Sequence, residues 1–269
     1  MINFPNAKIN IGLNITEKRK DGFHTIETIF YPIQLADILE INKTNDNFSF
    51  TSTGISFDLE DEKNICINAY QLLKTDYSIR PVHIHLHKNI PIGAGLGGGS
   101  SDAAFTLTML NSLLQSGLTE TELITIAEKA GSDCPFFIYN KPAYATGKGD
   151  VLTPIALDLK GYFLVLVYPM IHINTAAAYK KITPKPSIYP LTELIQQPIN
   201  TWKETIKNDF ESIIFKTHPE IKKIKLQLYD SGALYAAMSG SGSAVFGLFK
   251  EEINLKSIFH NYFIWSEWL

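Results

Sequence analysis

Between Pro91 and Asp102 the chain reads Pro-Ile-Gly-Ala-Gly-Leu-Gly-Gly-Gly-Ser-Ser-Asp. Glycine accepts positive φ and lets a ligand come close to the backbone. A loop of glycine and serine that opens a helix aims unpaired N–H groups outward, and the helix dipole adds to their pull on anions. The chemistry favoured is phosphate binding, so the chain is expected to handle a nucleotide.

Other glycine-rich designs compete for this stretch. No lysine follows the last glycine, so the usual P-loop pattern is absent. Gly93, Gly95 and Gly98 do fit the dinucleotide fingerprint G-x-G-x-x-G, which keeps a dinucleotide-dependent oxidoreductase as a rival reading. The strand before the loop argues against it. Val82, Ile84 and Leu86 alternate with His83, His85 and His87, a half-exposed pattern, whereas a Rossmann first strand is apolar throughout. The acidic residues further on, Glu120 and Glu122, fall at a helix start rather than at a strand end. A plain surface linker is the remaining reading, disfavoured by the strand and apolar helix on either side.

Phosphoryl transfer to a hydroxyl needs a triphosphate cradle, charge stabilisation and a proton acceptor. Lys8 shares the polar side of an alternating segment with Asn10, and in isolation such a lysine reads as a solvated strand residue. Asp133, in Gly131-Ser-Asp-Cys-Pro, reads in isolation as a turn residue. His83, His85 and His87 suggest a metal, but alternate strand residues stand roughly 6.5–7 Å apart, too wide for three ligands on one ion.

The elements that must position these groups follow from periodicity. Ile9, Ile11, Leu13 and Ile15 alternate with polar residues over 7–16, predicting a strand with one buried face. Asp21-Gly22 marks a turn into a second β segment at 25–33, with further strands at 38–41 and 48–51. Asn64 caps a helix to Lys74, the His-bearing strand covers 82–88, and a helix runs from Ser101 to Gln115. Thr119-x-x-Glu122 is a capping box for the next helix. Short strands are expected at 136–139 and 143–146, a connector at 153–160, a strand at 162–168 and a helix at 174–181. A proline-rich loop at 183–190 leads to helices at 199–208 and 219–230. Strands 233–238 and 244–249 flank Ser239-Gly-Ser-Gly-Ser243, and a helix and a last strand close the chain. The mixture reads as α+β in two lobes.

Composition limits the partners. The net charge of −3 offers no basic field for nucleic acid or an acidic membrane. Only Cys66 and Cys134 are present, away from any Cys/His cluster, which fits a reducing, cytoplasmic setting without disulfides or zinc. The first residues lack the basic and apolar regions of a signal peptide, and the longest apolar run, 162–169, is too short to span a bilayer.

The pattern P-x-G-x-G-L-G-G-G-S-S-D-A-A resembles the second motif of the GHMP kinases. Three more segments are similar to motifs of that family in the same order: Ala7-Lys-Ile-Asn-Ile-Gly-Leu13 with Asp21-Gly-Phe-His24, Gly131-Ser-Asp-Cys-Pro-Phe-Phe137, and Ser239-Gly-Ser-Gly-Ser243. The resemblance implies a two-lobed GHMP kinase fold with the active site between the lobes. The N-terminal lobe, 1–155, would be like ribosomal protein S5 domain 2 and carry the ATP-binding loop. The C-terminal lobe, 156–269, would be ferredoxin-like. The Asp-Gly-Phe-His and Gly-Gly-Gly-Ser-Ser-Asp features resemble the branch whose alcohol is a cytidine diphosphate-linked methylerythritol, in the non-mevalonate isoprenoid pathway. A GHMP kinase with a different alcohol acceptor competes with that branch, and a non-catalytic nucleotide-binding module competes with the kinase.

The same resemblance implies residue roles. Lys8 would lie beside the acceptor hydroxyl and Asp133 would be the base. Pro91, Ile92, Gly93, Ala94, Gly95, Leu96, Gly97, Gly98, Gly99, Ser100 and Ser101 would hold the ATP phosphates. Asn64, Ile65 and Lys88 would line the adenine pocket, and Asn10, Phe23, His24, Thr175 and Tyr179 would hold the substrate. Phe23 stands where the family usually has Tyr, which removes a hydroxyl but keeps the ring. Mg²⁺ would arrive with ATP, assisted by the Ser101 hydroxyl. The expected assembly is a monomer or weak homodimer.

Overall fold

The computed structural model describes residues 1–55, 64–77 and 79–269. They fall into two compact units, each assembled from separate stretches of chain. The first comprises Met1–Ala7, Gln34–Ile92 and Gly97–Lys141, and the second comprises Lys8–Ile33, Gly93–Leu96 and Pro142–Leu269.

In the first unit, β1 (Ile2–Asn3), β4 (Ile38–Lys43), β6 (Val82–Lys88) and β5 (Ser49–Gly54) form a sheet in the order β1-β4-β6-β5. β5 and β6 are parallel, and α1 (Ile65–Tyr77) lies between them in the chain, as a parallel pair requires a crossover. The apolar side of β6, Val82, Ile84 and Leu86, is buried with Leu39, Ile41, Tyr70, Leu107 and Leu110. The last two come from α2 (Gly98–Leu114). α3 (Glu120–Ala130) starts at the Thr119–Glu122 capping box that the sequence predicts.

α4 (Cys134–Tyr139) is a helix where a strand is expected. The run Cys-Pro-Phe-Phe-Ile-Tyr is too short to show a period. Pro135 at its first turn removes an amide that would be unpaired there anyway.

The second unit holds most of β2 (Asn6–Lys18) and β3 (His24–Ala36), with β7 (Ala143–Thr146) and β8 (Val151–Pro154), in the order β2-β3-β7-β8. A second sheet orders β10 (Tyr235–Met238), β11 (Val245–Phe249), β9 (Phe163–Tyr168) and β12 (Phe263–Trp268), antiparallel throughout. α5 (Thr175–Lys181), α8 (Glu211–Thr217) and α9 (Pro219–Asp230) contribute Ala178, Ile214, Ile221 and Ile224 to its core.

Three expectations change in this unit. β2 is buried on both sides, Lys8 and Asn10 included, because other elements cover its polar face. After α6 (Leu191–Leu194), the helix expected at 199–208 is a 3-10 turn, Ile199–Thr201, followed by a single turn, α7 (Trp202–Thr205). The segment before β12 forms turns rather than a helix. There Asn254 Oδ1 accepts from the Lys256 amide at 3.0 Å, a local bond that competes with the helical pattern. Among the described residues no helix is long and apolar enough to cross a membrane.

Candidate active site

The glycine loop takes left-handed φ at alternate positions: 67° at Gly93, 83° at Gly95 and 71° at Gly97. Alternation of this kind turns successive N–H groups toward one side and makes a concave anion seat. Gly95 is required twice over, because a Cβ there would also stand 2.1 Å from the Ser239 carbonyl oxygen. Gly97 caps α2, and Ser101 N donates to its carbonyl at 2.9 Å. The amides of Gly98, Gly99 and Ser100 precede that first helical bond and point out of the helix end. Ser101 is fully buried, and its Oγ has no hydrogen-bond partner in the protein. An orphaned buried hydroxyl beside an open helix start suits a phosphate or its cation.

In the second unit, Lys8 and Asn10 come against the Gly95 end of this loop. Lys8 N donates to Leu96 O at 3.0 Å. Lys8 Nζ donates to Asn10 Oδ1 at 2.5 Å and to Gly95 O at 3.1 Å, and lies 5.0 Å from the Phe30 ring centroid. Asn10 Nδ2 donates to Thr28 Oγ1 at 2.9 Å, and Thr28 Oγ1 to Gly12 O at 2.5 Å. Ser239 Oγ donates to Gly95 O at 2.8 Å. Asn208 Nδ2 holds the serine-glycine turn through Met238 O at 2.7 Å and Gly240 O at 2.8 Å.

In the first unit, Asp133 sits half-buried at the N-terminal end of α4. Asn64 is buried, and its Oδ1 accepts from Cys66 N at 2.9 Å, capping α1. Ile65 is the nearest side chain to Gly99, in the first turn of α2, at 3.7 Å from where a Cβ would be. Lys88 is buried, with its ammonium between Asp37 and Asp102 and its carbonyl accepting from Ile55 N at 2.9 Å. Burial pushes the Asp102 carboxyl well above its ordinary range, Lys88 opposes this, and the nearby Asp37 adds to it.

The residues assigned to the substrate meet in part. The His24 and Tyr179 rings stack at 4.9 Å and 19°, and Tyr179 meets Phe210 edge-on at 4.9 Å. Desolvation, then repulsion by Lys18, lowers the His24 pKa, so the imidazole is neutral at pH 7. Phe23 is exposed, with Lys148 Nζ 5.1 Å from its ring. Thr175 Oγ1 and Ser241 Oγ are 2.8 Å apart.

The three strand histidines have other partners. Ser49, Thr51 and Thr53 of β5 bond the rings of His83, His85 and His87 in an alternating hydroxyl–imidazole ladder. Among the described residues no group of three or more His, Cys, Asp or Glu is arranged to hold a metal.

Asp37 and Thr28 carry no local sequence mark, whereas Ser239 lies in the Ser239–Ser243 motif and Asn208 in Asn208-Asp-Phe-Glu211, segments that do not by themselves say what the two side chains bond.

The fold and the matching family models define the class as a small-molecule kinase, and this chain belongs to the GHMP kinases. The family model for the GHMP kinases N terminal domain matches residues 64–141, and that for the GHMP kinases C terminal region matches 191–263. The 4-diphosphocytidyl-2-C-methyl-D-erythritol kinase of Parabacteroides distasonis is 52% identical, covering 99% of this chain and 98% of its own length. The enzyme of that name from Bacteroides fragilis is 50% identical over 94% of this chain and 93% of its own. A crystal structure of 4-(cytidine 5'-diphospho)-2C-methyl-D-erythritol kinase superposes with a TM-score of 0.84 at 30% identity, covering 99% and 98% of the two chains. Methanococcus jannaschii mevalonate kinase shares the fold alone, with a TM-score of 0.69 at 19% identity, covering 100% of this chain and 98% of that one.

Proposed function

We infer that the protein is an ATP-dependent kinase that phosphorylates the 2-hydroxyl of 4-diphosphocytidyl-2-C-methyl-D-erythritol, in the non-mevalonate isoprenoid pathway. The observation that carries the kinase reading is the Lys8 ammonium, held by Asn10 against the carbonyl of Gly95 in the glycine loop. The half-identical, full-length relatives of that name support the choice of alcohol.

In this reading the loop amides and the start of α2 bind the triphosphate. Mg²⁺ bound with ATP would offset phosphate charge, and the orphaned Ser101 hydroxyl is the residue that would help hold it or a phosphate oxygen. Lys8 orients the acceptor hydroxyl and offsets charge on the transferring group. Asp133 accepts the hydroxyl proton as the γ-phosphoryl group bonds to the 2-oxygen and ADP leaves. His24, neutral, accepts a hydrogen bond from the amino edge of cytosine while Tyr179 stacks on its face. Because the His24 and Tyr179 rings stack on each other at 4.9 Å, the imidazole must swing off the Tyr179 face to reach the base edge. Phe23 adds a ring without a hydroxyl. Asn64 and Ile65 line the adenine side. The lobe boundary at 155/156 belongs to this reading.

A coupled ADP-release assay tests it, with Mg-ATP and 4-diphosphocytidyl-2-C-methyl-D-erythritol, and with mevalonate and homoserine in parallel. Release with the cytidine substrate alone is expected. Release only with another alcohol would keep the kinase and overturn the cytidine pocket.

A further inference from the structure

Asp37, Lys88 and Asp102 form a buried ionic triad in the first unit. Each is at least nine-tenths buried. Lys88 Nζ contacts Asp37 Oδ2 and donates to Asp102 Oδ2 at 2.6 Å. The second oxygen of Asp37 accepts from Asn89 N at 2.6 Å and Ile90 N at 2.8 Å. Asn89 Nδ2 also donates to Ala36 O at 3.2 Å, and Asp37 N to Pro5 O at 2.9 Å, which anchors Asp37 itself.

The triad therefore grips the chain at two places. Residues 88–90 lead into the glycine loop, and Asp102 leaves it on the first turns of α2. The grip is close: a Cβ on Gly98 would lie 2.8 Å from Ile90 Cγ2 and 3.1 Å from Lys88 Nζ. A lone lysine here would be an uncompensated buried cation, and an unpaired carboxylate would be as costly. Ion pairs of this kind contribute little net stability, so what the triad offers here is the geometry it imposes on the two stretches it bonds.

We propose that Asp37, Lys88 and Asp102 are positioning residues for ATP, a clamp that fixes the entry and exit of the phosphate loop relative to each other. The proposal rests on the ATP-dependent reading above. Fixing the loop ends presets the first amides of α2, so that ordering them is not charged against nucleotide binding. The clamp touches neither reacting group. Its loss should appear in ATP affinity rather than in recognition of the alcohol.

The test compares wild type with Asp37→Asn and Asp102→Asn, each of which replaces one carboxyl oxygen of the triad with an NH₂ and keeps the shape. We expect KM for Mg-ATP to rise about fivefold or more while KM for the cytidine acceptor stays within about twofold. Amide hydrogen exchange over 88–102, read without nucleotide, should quicken by about tenfold while β9 and β11 keep their protection. Unchanged KM for ATP in folded variants overturns the clamp. So does exchange that quickens evenly along the chain, the mark of general destabilisation. Wild-type protein that binds no ATP overturns the functional reading instead, and the exchange pattern still decides whether the triad holds the loop.

Discussion

Lys8 and Asn10, alternate residues on β2, face each other across a 2.5 Å hydrogen bond from Nζ to Oδ1. The bond to Thr28 fixes the amide of Asn10, since the reverse orientation would set its NH₂ group against the ammonium. Lys8→Met should lower kcat by about 10²-fold or more, the scale of one lost electrostatic stabiliser. Asn10→Ala, which leaves the charge but not its aim, should cost about tenfold. Turnover at saturating substrates checks both, and an unaltered Lys8→Met enzyme would remove the lysine from the chemistry.

Asp133→Asn should reduce kcat by about 10²–10⁴-fold, the usual contribution of a general base. ATP affinity, measured by titration calorimetry, should hardly change. Wild-type turnover in the variant would exclude Asp133 as the proton acceptor.

Ser101→Ala separates function from stability. The hydroxyl is buried and unpaired. Its removal should leave Tm unchanged or raise stability by up to about 1–3 kcal/mol, the cost of an unsatisfied buried polar group. KM for Mg-ATP should nevertheless rise several-fold. A lower Tm with normal ATP kinetics would show that the hydroxyl serves the fold instead.

Two glycines make a matched pair of controls. Gly95 and Gly22 both have left-handed φ, at 83° and 86°. A Cβ at Gly22 meets nothing within 4 Å, whereas at Gly95 it meets a backbone oxygen at 2.1 Å. Gly22→Ala should cost about 1–3 kcal/mol of strain alone. Gly95→Ala should cost more by about 1–3 kcal/mol, with loss of ATP binding as the loop shifts. Denaturant unfolding and nucleotide titration measure the two effects.

His24 should give acceptor binding a pH dependence. Its folded pKa lies below the ordinary 6.5, so the unfolded chain binds the proton more readily. Stability from this residue therefore rises with pH through the window below 6.5 and is lost as pH falls through it. Protonation also removes the acceptor nitrogen that the cytosine amino group would use. KM for the cytidine substrate should climb on the acid side of that window and flatten in His24→Asn. A steep acid limb that persists in the variant would assign the effect to another group.

The sequence carried its local rules well. Thr119 and Glu122 announce α3 because a capping box is complete within four residues, and glycines ahead of an apolar run announce α2. Long-range partnerships were silent. Lys8 reads as a surface lysine until the Gly95 carbonyl, 87 residues away, is placed beside it. Nothing local marks Asp37, 51 residues before Lys88, as the partner of its ammonium. α4 is the intermediate case, where Phe136 and Phe137 declare burial but six residues declare no period. The histidines of β6 behave likewise: their alternation is plain, while the hydroxyls that occupy their nitrogens belong to another strand.

Asn10 N donates to Ser239 Oγ across 229 residues of sequence. On the ribosome, then, the strand that bears Lys8 is made long before the serine that fastens it. Until about residue 240 has emerged, β2 has neither the serine-glycine turn nor the sheet of β9 to β12 to settle against. Such late-closing contacts slow folding and leave apolar strand exposed meanwhile. A nascent β2 and β3 hairpin, with Ile9, Ile11, Ile29 and Phe30 uncovered, is the segment that holdase chaperones would meet.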